Sequence, residues 1–481
     1  MSAKEPLKQP QPFEHLTRQV KANPSGIALQ SNEGSFTYRD AFDHSKKIAA
    51  LLRQRGVKPG QVVATQVSPH LNLFFFEALF HEAAIGCIYA GPTSDLEIVD
   101  WVLSTSKLPE VPDSKTILID QDFLAAAAML SSVIEPKAFD SFDSICRLVY
   151  SSGTTGTPKA TAFSISLIES RVATALENWL LHDSVISVLP MSGITGTLAA
   201  YANVALGKTY FAPGNASENF ELISNYQIAE VVASPAQLGD LVKNAIAASQ
   251  NLNSLELIVP AGSMLSEQLA KALLEVAPNA RLMNLYGCSE LGTIATKREP
   301  DFNPANMGRI APGVEVQIVS QARQVLESGS EGILRFKTTD IAGYFRNPQA
   351  NSEAFKDGWF YPGDIGFVTP DNHLMLLGRS IEVLNVGGVK INPDQLDGIL
   401  KTVAGVQDAA AFSYRTPTGT DGLAYAVVEG EGFEPQQLIA AVQETFVALV
   451  PTAICSVAQI PRTATSKVLR KALAEAFERN L

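Results

Sequence analysis

The sequence predicts an α/β protein: a large N-terminal domain of layered α/β sheets with a small β-barrel-like part, followed by a small α+β C-terminal domain. Three observations lead there. β-rich runs alternate with amphipathic helical stretches through most of the chain, the pattern of layered, largely parallel sheets. After about Glu315 strand-like runs follow one another, separated only by turns, and after Arg379 helix and strand mix in a compact stretch. The length of 481 residues suits about three globular units at a prior of roughly 150 residues each.

Taken in order, Met1 to Pro12 is polar and Pro-rich and lacks the apolar core of a signal peptide. Gln61 to Val67 reads as a strand. Leu71 to Ala84 reads as a buried helix running into a strand from Ile85 to Ala90. This is the most apolar part of the chain, and Glu77, His81 and Glu82 interrupt it, which argues against a membrane span. Cys146 to Tyr150, Ser184 to Leu189 and Glu230 to Ala233 are further β-rich runs. Ser266 to Val276 is an amphipathic helix, with a short strand, Arg281 to Asn284, after it. Val314 to Val319, Gly332 to Lys337 and His373 to Leu377 predict the antiparallel or barrel-like part. Pro393 to Val403 and Pro435 to Leu449 read as helices, and Ala409 to Tyr414 and Leu423 to Val428 as strands. The domain boundary falls near Gly378 to Ile381, dividing the chain into 1–378 and 379–481.

The net charge of −12 argues against a non-specific nucleic-acid or anionic-membrane binder, which needs a basic surface. It leaves room for a local basic pocket that takes phosphates. Cys87, Cys146, Cys288 and Cys455 are far apart, with no CxxC pair and no zinc spacing, so they read as reduced, mostly buried thiols. The expectation is a cytoplasmic monomer or homodimer with no nucleic-acid or membrane partner.

The β-prone run Cys146 to Tyr150 leads straight into Ser151-Ser152-Gly153-Thr154-Thr155-Gly156-Thr157-Pro158-Lys159. Two glycines let the backbone turn tightly, so that amide N–H groups aim at one centre. Hydroxyls and one lysine surround them, which suits a polyphosphate. The string is not a Walker A loop, because Lys159 follows Pro158 and no hydroxyl follows the lysine. Read alone, it is also compatible with a polar turn between strands.

The string resembles the phosphate loop of the adenylate-forming superfamily, which includes acyl-CoA synthetases, peptide-synthetase adenylation domains and beetle luciferases; Ala160 stands where the family has Gly. Further motifs follow in the family's order. Asn284-Leu285-Tyr286-Gly287-Cys288-Ser289-Glu290 resembles Asn-x-Tyr-Gly-x-Thr-Glu. The resemblance gives Tyr286 adenine stacking, Ser289 the α-phosphate and Glu290 Mg²⁺. By itself, Glu290 also reads as a carboxylate facing a helix N-terminus. Gly358 to Gly366 resembles the family's Gly-Trp-x-x-Thr-Gly-Asp, with Pro362 for Thr, and implies that Asp364 accepts from both ribose hydroxyls. Ala261-Gly262-Ser263 resembles the stretch beside the adenine, and Gly343-Tyr344 with Asn347-Pro348 resembles another family segment.

Gly378-Arg379 resembles the linker into the family's small, mobile C-terminal domain, with Arg379 on ribose or phosphate. The usual acidic hinge residue is replaced by Ile381, and Glu382 follows. Val383 to Lys390, with Asn385 and two glycines, matches acetyl-CoA-synthetase-like members. Pro461 to Lys467 resembles Pro-Arg-Thr-x-x-Gly-Lys, with Ser466 for Gly, and implies that Lys467 bridges carboxylate and α-phosphate.

The resemblance implies ATP-dependent activation of a carboxylic acid, with Lys159, Ser289, Glu290 and Lys467 as catalytic residues. ATP would be held by Ser151, Ser152, Gly153, Thr154, Thr155, Gly156, Gly262, Ser263, Asn284, Tyr286, Gly287, Asp364 and Arg379, with Mg²⁺ on Glu290. In relatives the acid pocket follows the Val185 strand and adjoins the adenine motifs. Here that points to Met191, Gly193, Ser234, Ala261 and Cys288. Gly193, Gly196, Ala261 and Gly262 suggest a roomy, weakly polar pocket for an aryl or medium-to-long acyl acid; the alternative is that they reflect packing. No aspartate lies between Leu189 and Leu198 to hold an α-amino group. CoA is the expected acceptor. A carrier protein or an amine is the alternative, and a degenerate nucleotide-binding regulatory protein is the reading from a different class.

Overall fold

The computed structural model describes residues 12–89, 91, 96–131, 134–151, 159–263, 265–298, 303, 305–379, 384–386, 389–416, 421–446, 449–462 and 468–479. The chain separates into two compact units. One comprises Met1–Val232, Ser289–Gly292 and Asp340–Glu353, the other Ala233–Cys288, Thr293–Thr339 and Ala354–Leu481.

The first unit is built on a six-stranded sheet. Its order is Thr116–Leu118, Trp101–Ser104, Val62–Gln66, Ile85–Ile88, Ile145–Ser151, Lys159–Ser164. Neighbours run parallel until the last pair, which is an antiparallel hairpin. The helix Pro69–His81 connects two of the parallel strands as the sequence predicts. It is apolar all round and therefore buried. It stops short of Ala84 because Glu82 caps it and Ala83 turns the chain at φ +51. The charged residues that interrupt this stretch lie inside the core. Glu82 is fully buried and paired with Arg53 at 2.7 Å and Lys137 at 3.1 Å. Glu77 Oε2 has no hydrogen-bond partner among the described residues, and burial pushes its carboxyl up to about 8. A second parallel pair, Val185–Ser187 with the strand Glu230–Ala233, is buried throughout. Between these strands the helix Ile194–Leu206 begins at Gly193 and ends at Gly207, whose φ of +74 suits glycine.

In the second unit Leu257–Pro260 and Arg281–Leu282 run parallel, joined by the helix Glu267–Val276, which Ser266 caps. The helix and the strand after it are the predicted ones, while the strand Leu257–Pro260 was not predicted. The predicted antiparallel part is a nine-stranded sheet that includes Asn284–Cys288, Gly332–Lys337, Asp364–Val368 and His373–Arg379. In the last stretch the two predicted strands are Val406–Arg415 and Asp421–Glu429 and the two predicted helices are Pro393–Leu400 and Pro435–Thr445; a third strand, Ala453–Ser456, and a helix, Arg470–Glu478, were not predicted and pack with them. Arg470 anchors this part: it donates to Asp397 Oδ2 at 2.7 Å and to the Ala411 carbonyl at 2.6 Å. No described helix is long and apolar enough to cross a membrane.

Candidate functional site

In the hairpin Ile145–Ser151/Lys159–Ser164, Ser151 pairs with Lys159. Residues Ser152, Gly153, Thr154, Thr155, Gly156, Thr157 and Pro158 lie outside the described residues. The frame around them is placed, and both flanks of the loop belong to one ladder. Lys159 carries its Nζ 5.0 Å from the centre of the Tyr344 ring, a cation–π distance. Tyr344 lies on a segment that runs beside the second hairpin strand. It bridges Thr161, while Ala162 N–H donates to Gly343 O at 2.8 Å and Phe345 N–H to Ala160 O at 2.7 Å. The Tyr344 hydroxyl donates to Glu290 Oε1 at 2.7 Å. One tyrosine thus touches both the lysine that closes the phosphate loop and the predicted magnesium carboxylate.

Glu290 is 6% exposed. It lies in the turn between the strands Asn284–Cys288 and Gly292–Lys297, so its alternative reading as a helix N-terminal charge is overturned. Its carbonyl accepts from Ala342 N–H at 2.8 Å and from Arg171 Nη2 at 3.1 Å, and Arg171 also donates to the Asp340 carbonyl. Gly292 has φ +76, and a Cβ there would overlap the Arg171 guanidinium, so glycine is required twice over. Ser289 is half-buried beside Glu290. Sequence reasoning gave no role to Tyr344 or Arg171. The Gly343-Tyr344 segment was a signal for the first, and nothing local marks the second.

The remaining residues predicted to bind the nucleotide belong to the second unit. The Tyr286 hydroxyl donates to Asp364 Oδ2 across 78 positions of sequence, so two independent motifs meet. Asp364 is 4% exposed and opens the strand Asp364–Val368 after Gly363, whose φ is +84. Its backbone pairs with Arg379, whose side chain lies outside the described residues. The Tyr286 ring is tilted against Phe336 at 6.2 Å. Arg335 stacks over Trp359 at 4.8 Å and donates to the Tyr361 hydroxyl at 2.9 Å, bracing the motif that carries Asp364. Gly262 follows Leu257–Pro260 at φ +92, and no atom of the described residues lies within 4 Å of where a Cβ would stand, so this glycine serves the backbone turn. Ser263 and Gly287 are exposed, and Asn284 and Cys288 are half-buried.

The predicted acid-binding residues fall in both units. Met191 is buried, and its carbonyl accepts from Thr197 Oγ1 at 2.9 Å and from Arg147. Gly193 precedes the helix Ile194–Leu206 and donates to Pro190 O at 3.0 Å. A Cβ on Gly196 would overlap the Leu189 and Pro190 carbonyls. Close packing therefore explains that glycine, and the expectation that it marks open space is corrected. Ser234 is buried in a capping box with Gln237, its hydroxyl donating to Gln237 Oε1 at 3.0 Å. Ala261 is buried. Lys467, with the rest of 463–467, and Ile381 with Glu382 lie outside the described residues.

No cluster of three or more metal-ligating side chains occurs among the described residues. A nucleotide-bound Mg²⁺ does not need one, because one or two carboxylates and the substrate phosphates hold it. Glu290, buried and oriented by Tyr344, fits that requirement.

Residues 16–345 match the AMP-binding enzyme family. The chain is 26% identical over 519 residues to the medium/long-chain-fatty-acid–[acyl-carrier-protein] ligase FadD10 of Mycobacterium tuberculosis, across 96% of this chain and 95% of that one. It is 24% identical over 432 residues to 4-coumarate-CoA ligase 1 of Narcissus pseudonarcissus, across 79% and 77% of the two chains. The solved structure of the anthranilate CoA ligase AuaEII with anthranoyl-AMP shares the fold, with a TM-score of 0.86 at 20% identity over 99% of both chains. The family match takes in the hairpin, the Glu290 turn and the Tyr344 segment, and the chain belongs to the AMP-binding enzyme family as an AMP-forming acid–thiol ligase.

Proposed function

We propose that the chain uses ATP to activate an aryl or medium-to-long acyl acid as its adenylate, releasing pyrophosphate, and then transfers the acyl group to the thiol of CoA. The observation that carries this reading is Tyr344 joining Lys159 to the buried Glu290. In the first step a carboxylate oxygen of the acid bonds to the α-phosphorus, and the bond to pyrophosphate breaks. The nucleophile is already ionised, so no general base is required. Lys159 and the loop amides offset the charge that gathers on the phosphoryl oxygens. Mg²⁺, when bound at Glu290, supplies further positive charge there. Asp364 is an acceptor suited to ribose hydroxyls, and its bond to Tyr286 orients both for ribose and adenine.

In the second step the thiol sulfur bonds to the acyl carbon, AMP leaves, and the thiol proton passes to solvent. Residues 379–481 act as the mobile small domain. Lys467, carried there, bridges the carboxylate and the α-phosphate during adenylation. The test is acid-dependent exchange of radiolabelled pyrophosphate into ATP across a broad panel of acids. Exchange with at least one acid is expected; none with any acid favours a degenerate nucleotide-binding protein.

A second reading gives the acyl group to a carrier protein. It is favoured by FadD10, a relative named for that acceptor. Both acceptors present a phosphopantetheine thiol. Comparing thioester formation with CoA and with a phosphopantetheinylated carrier protein separates them.

A further inference from the structure

Arg147 lies on the strand Ile145–Ser151, which leads into the phosphate loop, and is 1% exposed. Burying an unpaired charge is costly. No carboxylate among the described residues acts on it, and its ionisable neighbours are the thiols Cys87 and Cys146, which burial pushes up to about 12 and keeps protonated. Its guanidinium lies over the Phe76 ring at 3.8 Å. Nη2 donates to the Met191 carbonyl and to Thr197 Oγ1 at 3.3 Å, while Nε and Nη1 find no hydrogen-bond partner among the described residues.

An apolar side chain of similar volume would fill this space without the burden of a buried charge. What an arginine adds is direction. Its bonds close the turn that runs from Met191 into the helix Ile194–Leu206. That turn is otherwise held by short local contacts. Gly193 N–H donates to Pro190 O at 3.0 Å, Thr197 N–H to Gly193 O at 3.1 Å, and Thr197 Oγ1 to Met191 O at 2.9 Å. Close packing of Gly196 on the Leu189 and Pro190 carbonyls stiffens it further. Arg147 links this turn to the strand bearing Ser151.

We propose that Arg147 is a positioning residue for acid selection, fixing the Met191–Thr197 turn relative to the strand that delivers the phosphate loop. The proposal rests on the reading of Leu189 to Gly196 as part of the acid pocket. A turn held by two bonds from one guanidinium nitrogen presents one pocket shape; released, it admits acids of other sizes.

The test compares Arg147→Met, Arg147→Lys and Thr197→Val with the wild-type chain in pyrophosphate exchange. The readout is the ratio of kcat/KM for the two best acids of the panel that differ in size, together with KM for ATP. A ratio does not depend on the fraction of enzyme that is folded. Arg147→Met is expected to shift the ratio by roughly tenfold, well inside the loss that a misplacement of about 1 Å causes. Its KM for the acid rises while KM for ATP stays. Arg147→Lys restores part of the ratio, because an ammonium reaches one of the two oxygens. Thr197→Val shifts it in the same direction by less. These two conservative variants decide the matter if Arg147→Met does not fold. An unchanged ratio in both, or equal rises in KM for ATP and acid, overturns the proposal. A wild-type chain without exchange for any acid sinks the adenylation reading and this proposal together, an outcome distinct from an active wild type with unchanged ratios.

Discussion

Removing one oxygen atom from Tyr344 tests whether the contact with Glu290 belongs to the catalytic machinery. In Tyr344→Phe the ring facing Lys159 at 5.0 Å remains, and the hydroxyl that donates to Glu290 Oε1 at 2.7 Å is lost. Glu290 is 6% exposed, so water does not readily take the place of the lost donor. A hydrogen bond to a charged group contributes about 1.5–3 kcal/mol. If all of it serves to hold the carboxylate for Mg²⁺, exchange slows by about 10- to 150-fold. The assay is acid-dependent ATP–pyrophosphate exchange across a range of Mg²⁺ concentrations. The deficit is expected to be largest at limiting Mg²⁺ and to shrink as Mg²⁺ rises. Tyr344→Leu also removes the ring under Lys159, worth about 0.5–1 kcal/mol more. A Tyr344→Phe enzyme with unchanged rate and unchanged Mg²⁺ dependence refutes the reasoning. A lower melting temperature with normal exchange makes the bond structural instead.

Four further outcomes are expected. Lys467→Ala abolishes adenylation, by about 3–4 kcal/mol or 10²–10³ in rate, yet largely spares transfer from a preformed acyl-adenylate; equal damage to both half-reactions counts against domain alternation. Asp364→Ala raises KM for ATP without raising KM for the acid, and Tyr286→Phe, which removes only the bond between them, does so less; a rise confined to the acid would contradict the ribose role. Gly292→Ala is destabilising, since φ +76 and overlap with Arg171 both oppose a Cβ. Strain of this kind costs about 1–3 kcal/mol, read as a lower melting temperature. The pH dependence of stability follows from Glu77 and His81. Burial raises the Glu77 carboxyl from 4.5 to about 8, so the folded chain keeps a proton that the unfolded chain releases, and stability falls as pH rises through that window. Burial lowers the His81 ring from 6.5 to about 4, so its contribution is lost as pH falls through that window. The two slopes oppose each other below pH 6.5, and above it His81 no longer offsets Glu77, which contributes about 1.4 kcal/mol per pH unit. The tyrosines facing it, Tyr38 and Tyr201, are pushed above the ordinary phenol range and stay neutral. Glu77→Gln therefore melts above the wild type at pH 8, and the gap closes toward pH 5; a gap independent of pH refutes this.

The parts of this protein that were legible in the sequence are those whose cause is local. Glu230–Ala233 and Gly332–Lys337 occupy their predicted bounds, because a short β-prone run between turn signals has few alternatives. The nucleotide motifs were legible as strings because each needs its residues in a fixed order along one loop. What the strings could not show is which of them meet. Tyr344 reaches Glu290 across 54 positions, and Arg171 reaches the Glu290 carbonyl across 119. No local pattern encodes such pairs, and an arginine within a helix ordinarily reads as a solvated side chain. Gly196 shows a different limit, since a small residue signals either open space or crowding, and only the carbonyls above it decide.

Arg147 joins both limits. In the run Ile145-Cys146-Arg147-Leu148-Val149 an arginine between apolar residues reads as the solvent face of a half-buried strand, since side chains alternate. Here both faces are covered: Cys146 and Leu148 are 0% exposed, and Arg147 and Val149 are 1% exposed. A sheet covered on both faces leaves no position for a polar side chain at the surface. An arginine in such a strand must then find oxygen inside the protein, and it finds the Met191 carbonyl and the Thr197 hydroxyl. The same alternation that made the residue look ordinary therefore commits it, once the sheet is covered, to the turn from Met191 to Thr197.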